Sequence, residues 1–223
     1  MSESPILIPP VAVVYDWDNT LVDTWPVIHA ALNHLFRYMD MPEWHLEETK
    51  ARVRKSMRDS FPEMFGDRWE EARDVFYSAF ESLHLDALTP LDGAESLLLS
   101  LVDSGVPQSV VSNKQGPFLR KEAGYLNWDR HFHALVGAGD AARDKPAPDP
   151  ITLALSGLDV APGPAVYFVG DSSVDMEIAH ATGLTPILIH PEPDFVGEFS
   201  EFAPARHFSS LAAFKDFLTA QRV

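Results

Sequence analysis

Four short segments carry carboxylates, hydroxyls and lysines in combinations that could do chemistry: Asp16-Trp17-Asp18-Asn19-Thr20, Ser112-Asn113-Lys114, Asp144-Lys145-Pro146 and Gly170-Asp171-Ser172-Ser173-Val174-Asp175. Brought together, Asp16, Asp18 and Asp171 repel one another, and such a cluster is tolerated when a hard divalent cation sits among its oxygens. Magnesium suits the donor set, because it takes one or two carboxylates, keeps several waters and shares the oxygens of a substrate phosphate. With the metal and Lys145 neutralising a phosphoryl group, one carboxylate can attack phosphorus as a covalent nucleophile. The other aspartate is then free for proton transfer. An Asp-x-Asp spacing at a strand end puts both side chains on one side of the pleat, so they can share a site with different tasks. Ser112 can donate to a phosphoryl oxygen, as can backbone amides in the loop after Asp18.

These segments must be held by something, and each follows a run that reads as a buried strand. Val11 to Tyr15, Gln108 to Ser112, Ala165 to Val169 and Thr185 to His190 are short, apolar or β-branched, and ended by glycine, proline or a polar residue. His133 to Val136 is a weaker fifth. Helical spacing lies between them over Ala94 to Val102, Pro117 to Gly124, Asp149 to Leu155, Val174 to Thr182 and Leu211 to Leu218. Strands alternating with single helices predict an α/β fold with a doubly wound parallel sheet. In such sheets ligand sites collect at the carboxyl ends of the strands, where these four segments fall.

Residues 24–89 break the alternation. They carry helical periodicity (Trp25, Ile28, Leu32, Leu35, Phe36, then Val75, Phe76, Ala79, Phe80, Leu83) with no convincing strand, and the chain returns through Thr89-Pro90-Leu91-Asp92-Gly93. The expected organisation is a helical insert at 24–89 within an α/β core formed by 1–23 and 90–223. Phe61, Phe65, Trp69, Phe76 and Phe80 read as the insert's own core, and the acidic and aromatic stretch from Glu192 to Phe202 as a surface loop.

Composition narrows the function further. The 223 residues include 17 basic and 33 acidic side chains, a formal net charge of −16, which repels nucleic acid and anionic lipid. A phosphate ligand must therefore be held by local cations, backbone donors or a metal. With no cysteine, disulfides, thiolate zinc sites and cysteine nucleophiles are excluded. The apolar stretch Ile6 to Tyr15 is too short and too broken by proline to span a membrane and lacks the basic flank of a signal peptide, so a soluble, cytoplasmic protein is expected.

Taken together and in this order, Asp16 to Asp23, Ser112-Asn113-Lys114, Lys145-Pro146 and Gly170 to Asp175 resemble the four motifs of the haloacid dehalogenase superfamily, in its phosphoglycolate phosphatase and β-phosphoglucomutase-like branch. The likeness covers nearly the whole chain, including a helical cap inserted after the first motif into a Rossmann-like core. It implies that Asp16 is the nucleophile that becomes an aspartyl-phosphate and also a magnesium ligand, and that Asp18 is the acid/base, lending its backbone carbonyl to the metal. Ser112 and Lys145 match the phosphoryl-binding hydroxyl and the neutralising lysine, and Thr20 and Asn113 fall on the same substrate-binding side. Asp171 matches a direct metal ligand, and Asp175 a second ligand or an outer partner that orients the site. The family usually has glycine where Asn19 stands, and asparagine tolerates the positive φ that turn demands. Trp17 is bulkier than the family's usual residue there.

The resemblance implies a magnesium-dependent phosphatase acting on a small phosphorylated metabolite such as phosphoglycolate, with its cap closing over the site. A phosphomutase shares the core motifs, whereas dehalogenases lack the second aspartate. A signalling receiver or a noncatalytic binding protein is a different class of reading, disfavoured by the helical insert and by the filled catalytic positions. In the insert, Lys50, Arg52, Arg54, Lys55 and Arg58 place five of the 17 basic residues within nine positions. Such a run reads first as a solvated helix face. If it meets an anionic substrate, Arg54 and Arg58, one helical turn apart, are the expected pair.

Overall fold

The structure is a computed structural model in which residues 7–53 and 57–221 are described, the side chains of residues 57–59 excepted. The chain divides into two compact units, 1–22 with 90–223 and 23–89. In order, the elements are β1 (Ala12–Tyr15), β2 (Val22–Asp23), α1 (Trp25–Tyr38), α2 (Leu46–Arg52), α3 (Met57–Phe65), α4 (Trp69–Leu83) and β3 (Thr89–Pro90). They continue as α5 (Ala94–Asp103), β4 (Gln108–Gln115), α6 (Gly116–Tyr125), β5 (Ala134–Ala138), α7 (Asp149–Ala154), β6 (Val166–Gly170), α8 (Ser173–Thr182), β7 (Thr185–Ile189), β8 (Arg206–Phe208) and α9 (Leu211–Ala220).

Among the described residues of the larger unit, six strands form one sheet in the order β5-β4-β1-β6-β7-β8. Every pairing is parallel. β1 and β6 are buried at every position, as a sheet covered on both faces requires. Alternation along β1 sends Ala12 and Val14 into a cluster with Val111, Val136, Phe168, Ile151 of α7 and Ile178 of α8. On β6, Tyr167 faces the other way and meets Phe214 of α9, with ring centroids 6.4 Å apart. Helices thus cover both faces of the sheet. The strand order reverses at β1, so the loops after β1 and β6 meet where such sheets bind ligands.

Local chemistry sets the element ends. α8 begins at a reciprocal Ser172–Asp175 capping box and ends at Gly183, whose φ of 71° is left-handed. Asn19 has a φ of 58°, so the asparagine does adopt the turn glycine would favour. Gly137 lets β5 and the start of α6 approach closely, because a Cβ there would overlap the backbone of Gly116.

The smaller unit contains α1 to α4 and no strand beyond its edge residues Asp23 and Thr89, among the described residues. Phe36, Phe61, Phe76 and Phe80 are buried in it, with Phe61 and Phe76 edge to face at 5.7 Å, while Phe65 and Trp69 are only partly covered. The stretch from Glu192 to Phe202 is the mostly exposed loop expected, but it is pinned at one point. Phe199 is buried against Met176 and Leu188, with Phe202 packed on the same cluster. The chain then adds β8 as a sixth strand beside β7, which Arg-His-Phe did not announce because it has neither alternation nor β-branching. No described helix is long and apolar enough to cross a membrane.

Candidate active site

The sheet carries the four segments to one edge. Asp16 follows β1, Ser112 lies within the second half of β4, Lys145 comes from the loop between β5 and α7, and Asp171 and Asp175 follow β6. Carboxylate oxygens of Asp16, Asp171 and Asp175 lie within 4.8 Å of one another. Lys145 Nζ stands between two of them, 2.8 Å from Asp16 Oδ1 as an ion pair and 2.7 Å from Asp175 Oδ1 as an aligned hydrogen bond. Its side chain is only 2% exposed, so one buried ammonium faces three carboxylates.

That imbalance appears in the protonation equilibria. Burial raises Asp16 from 3.8 to about 7; Lys145 opposes the rise, and Asp175 and Asp18 add to it. Asp171 is also pushed well above the carboxylate range, by burial first and then by Asp175 and Asp16. Burial alone would lower Lys145, but Asp16 and Asp175 outweigh it and hold the amine well above its ordinary value. Apart from the Lys145 ion pair, the buried Oδ1 of Asp16 accepts no hydrogen bond. An under-satisfied buried oxygen among excess carboxylates is a donor set that fits a hard divalent cation.

Asp175 has both oxygens engaged: Oδ1 by Lys145, and Oδ2 by the amides of Asp171 and Ser172 at 3.2 and 3.1 Å and the Ser172 hydroxyl at 2.7 Å. Gly170 makes this possible, since a Cβ there would overlap the Asp175 side chain. Asp175 thereby ties Lys145 to the loop that carries Asp171.

Other expected site residues have different surroundings from those anticipated. Thr20 is fully buried and its hydroxyl donates to Asp171 Oδ1 at 2.9 Å, so it orients a carboxylate where substrate contact was expected. Asn113 is exposed, and its amide donates to the Lys145 carbonyl at 3.2 Å, steadying the lysine loop. Ser112 is 4% exposed within β4, and its Oγ accepts from the Lys114 amide at 3.2 Å. Arg54 and Lys55 lie outside the described residues, as does the side chain of Arg58. Their neighbours Lys50 and Arg52 pair with Glu47 and Glu48 at 3.4 Å, in keeping with a solvated helix face.

Lys114, which belongs to the second motif but had no expected role, meets Glu122, which no sequence feature singled out. Lys114 Nζ is 2.7 Å from Asp18 Oδ1 and 2.6 Å from Glu122 Oε2, and Trp17 Nε1 donates to that same Glu122 oxygen at 2.7 Å. Burial opposes the Lys114 charge, but the two carboxylates outweigh it and raise its pKa. The available signal was the lysine two residues after Ser112; a glutamate within α6 carried none.

The chain is 29% identical over 182 residues to a phosphoglycolate phosphatase of Xanthomonas campestris, covering 80% of this chain and 82% of that one. It is 29% identical over 192 residues to an N-acetylmuramic acid 6-phosphate phosphatase of Pseudomonas aeruginosa, covering 81% and 84%. A haloacid dehalogenase-like hydrolase structure from Streptococcus pneumoniae superposes with a TM-score of 0.83 at 21% identity, over 94% of this chain and 98% of that one, a likeness of fold. The model of the haloacid dehalogenase-like hydrolase family matches residues 13–189, from β1 through β7 and so across all four segments, and the chain belongs to that family.

Proposed function

We propose that the protein is a magnesium-dependent phosphatase that hydrolyses a small phosphomonoester, phosphoglycolate-like in class, through an aspartyl-phosphate on Asp16. The observation that carries this reading is the group of Asp16, Asp171 and Asp175 around the buried Lys145, at the strand ends where parallel sheets bind ligands. The phosphatases named among its relatives support it. Asp16, Asp18, Ser112, Lys145, Asp171 and Asp175 all lie in the larger unit, so residues 1–23 and 90–223 are read as the catalytic core and 24–89 as the helical cap.

Asp16, Asp171 and the backbone carbonyl of Asp18 would hold the metal, with Asp175 orienting the group. When bound, the metal neutralises phosphate charge and offsets the repulsion among the carboxylates. Lys145 favours the ionised form of Asp16 against the effect of burial and offers an ammonium to the phosphoryl oxygens, with Ser112 as a further donor. An Asp16 oxygen bonds to phosphorus as the ester oxygen departs, and Asp18 gives that alkoxide its proton. Asp18, now a carboxylate, takes a proton from the water that attacks phosphorus. The P–O bond to Asp16 then breaks, releasing inorganic phosphate and restoring the Asp16 carboxylate and the Asp18 acid.

The test is phosphate release from an aryl phosphate and a panel of small phosphoesters, phosphoglycolate and hexose phosphates among them, with magnesium and with chelator. Turnover should require magnesium and vanish in Asp16→Asn. Activity that survives either change rejects the mechanism, and isomerised rather than hydrolysed hexose phosphate marks a mutase.

A further inference from the structure

The two aspartates of the first motif are each held by their own lysine, and each lysine is anchored by a second, fully buried carboxylate. Lys145 bridges Asp16 and Asp175. Lys114 bridges Asp18 and Glu122, and the Trp17 indole fixes Glu122 from the residue between the two aspartates. Glu122 and Trp17 are completely buried, and the Lys114 side chain is 5% exposed.

A buried glutamate is an expensive way to fill space, since an apolar residue of similar volume packs as well or better without desolvating a charge. What Glu122 supplies instead is a second point of attachment for the long, rotamer-rich Lys114 side chain. Lys114 meets Asp18 at Oδ1, which is itself inaccessible, whereas a quarter of the Asp18 side chain is exposed. The contact therefore takes the buried oxygen and leaves Oδ2 as the one that can exchange a proton.

We propose that Lys114, tethered by Glu122 and Trp17, is the positioning residue for Asp18, fixing its carboxyl so that Oδ2 is presented to the departing alcohol. The proposal rests on the reading of Asp18 as the acid given above. Lys114 touches no reacting atom in this role and acts only through Asp18. A clamp of this kind matters most when the leaving group needs a proton.

The experiment compares kcat/KM, which reports the step that expels the alcohol, for 4-nitrophenyl phosphate and for the alkyl phosphomonoester turned over fastest in the panel, with magnesium. Nitrophenolate departs without a proton, whereas an alkoxide does not. Asp18→Asn should cost the alkyl ester on the order of a hundredfold more than the aryl ester. Lys114→Met should show the same bias at about ten- to a hundredfold, and in the Asp18→Asn background should cost less than about threefold more. Because Lys114→Met strands the Glu122 charge, the same kinetics are read on Lys114→Met combined with Glu122→Leu, which removes both charges, after far-UV circular dichroism establishes folding. Equal losses on both esters, or losses that multiply in the double variant, overturn the positioning role. If Asp18→Asn itself shows no bias, the acid assignment fails and the proposal falls with it, which separates the two failures.

Discussion

Replacing Asp16 by asparagine should abolish turnover and yet make the metal-free protein more stable at pH 8. The side chain is 10% exposed, and its pKa stands near 7 in the fold, chiefly through burial, against 3.8 for the free group. A folded value above the unfolded one means that the native state binds the proton more tightly, so ionisation opposes folding. The penalty is complete above about pH 7, shrinks as the pH falls through the window, and is gone below about pH 4. At about 1.36 kcal/mol per pH unit, a rise of about three pH units amounts to about 4 kcal/mol, of which about 2 kcal/mol remains at pH 5. Asparagine keeps the shape and removes the charge but gives up one of the two Lys145 partners, so a net gain of about 1–3 kcal/mol is expected. In a chain of this size that is roughly 2–10 °C in Tm. Thermal melts in chelator at pH 8 and pH 5 measure it, and the advantage of Asp16→Asn should be clearly smaller at pH 5. A variant no more stable than wild type at pH 8, or an advantage that ignores pH, refutes the view that uncompensated charge is stored at this site.

Three other outcomes follow from the same geometry. Magnesium added to the chelator-treated wild type should raise its Tm, by about 2.7 kcal/mol of stability at a hundred times its Kd, and should do much less for Asp16→Asn; equal shifts would place the ion elsewhere. Lys145→Met leaves Asp16 and Asp175 without their shared cation, and denaturant melts should show a loss of about 3–5 kcal/mol together with at least a thousandfold loss of phosphate release. Gly170→Ala forces a methyl group onto Asp175, which should cost about 1–3 kcal/mol by denaturant melt and weaken the magnesium response; a neutral variant would mean that the strand end gives way easily.

The parallel sheet was readable because its central strands are written as continuous apolar runs: Ala-Val-Val-Tyr in β1 and Val-Tyr-Phe-Val-Gly in β6 can only be covered on both faces. Its β8 edge was not, because three residues with no alternation become a strand only through the neighbour they join. At the candidate site, Asp16 and Asp171 were legible from their place after such runs. What Thr20 and Asn113 do was not, since a hydroxyl aimed at Asp171 or an amide aimed at a backbone carbonyl depends on loops meeting in space. Glu122 was the most opaque, because a glutamate in a helix reads as solvent-facing until the Trp17 indole and the Lys114 ammonium are seen on either side of it.

The central claim is that Asp16 carries the phosphoryl group, and trapping tests it most directly. Enzyme mixed with magnesium and an aryl phosphate is quenched in acid, reduced with borohydride and mapped by peptide mass spectrometry, which converts an acyl phosphate to homoserine at the residue that bore it. Homoserine is expected at position 16, dependent on substrate and on magnesium. Sustained turnover with position 16 always recovered as aspartate, or homoserine at another acidic residue, would contradict it.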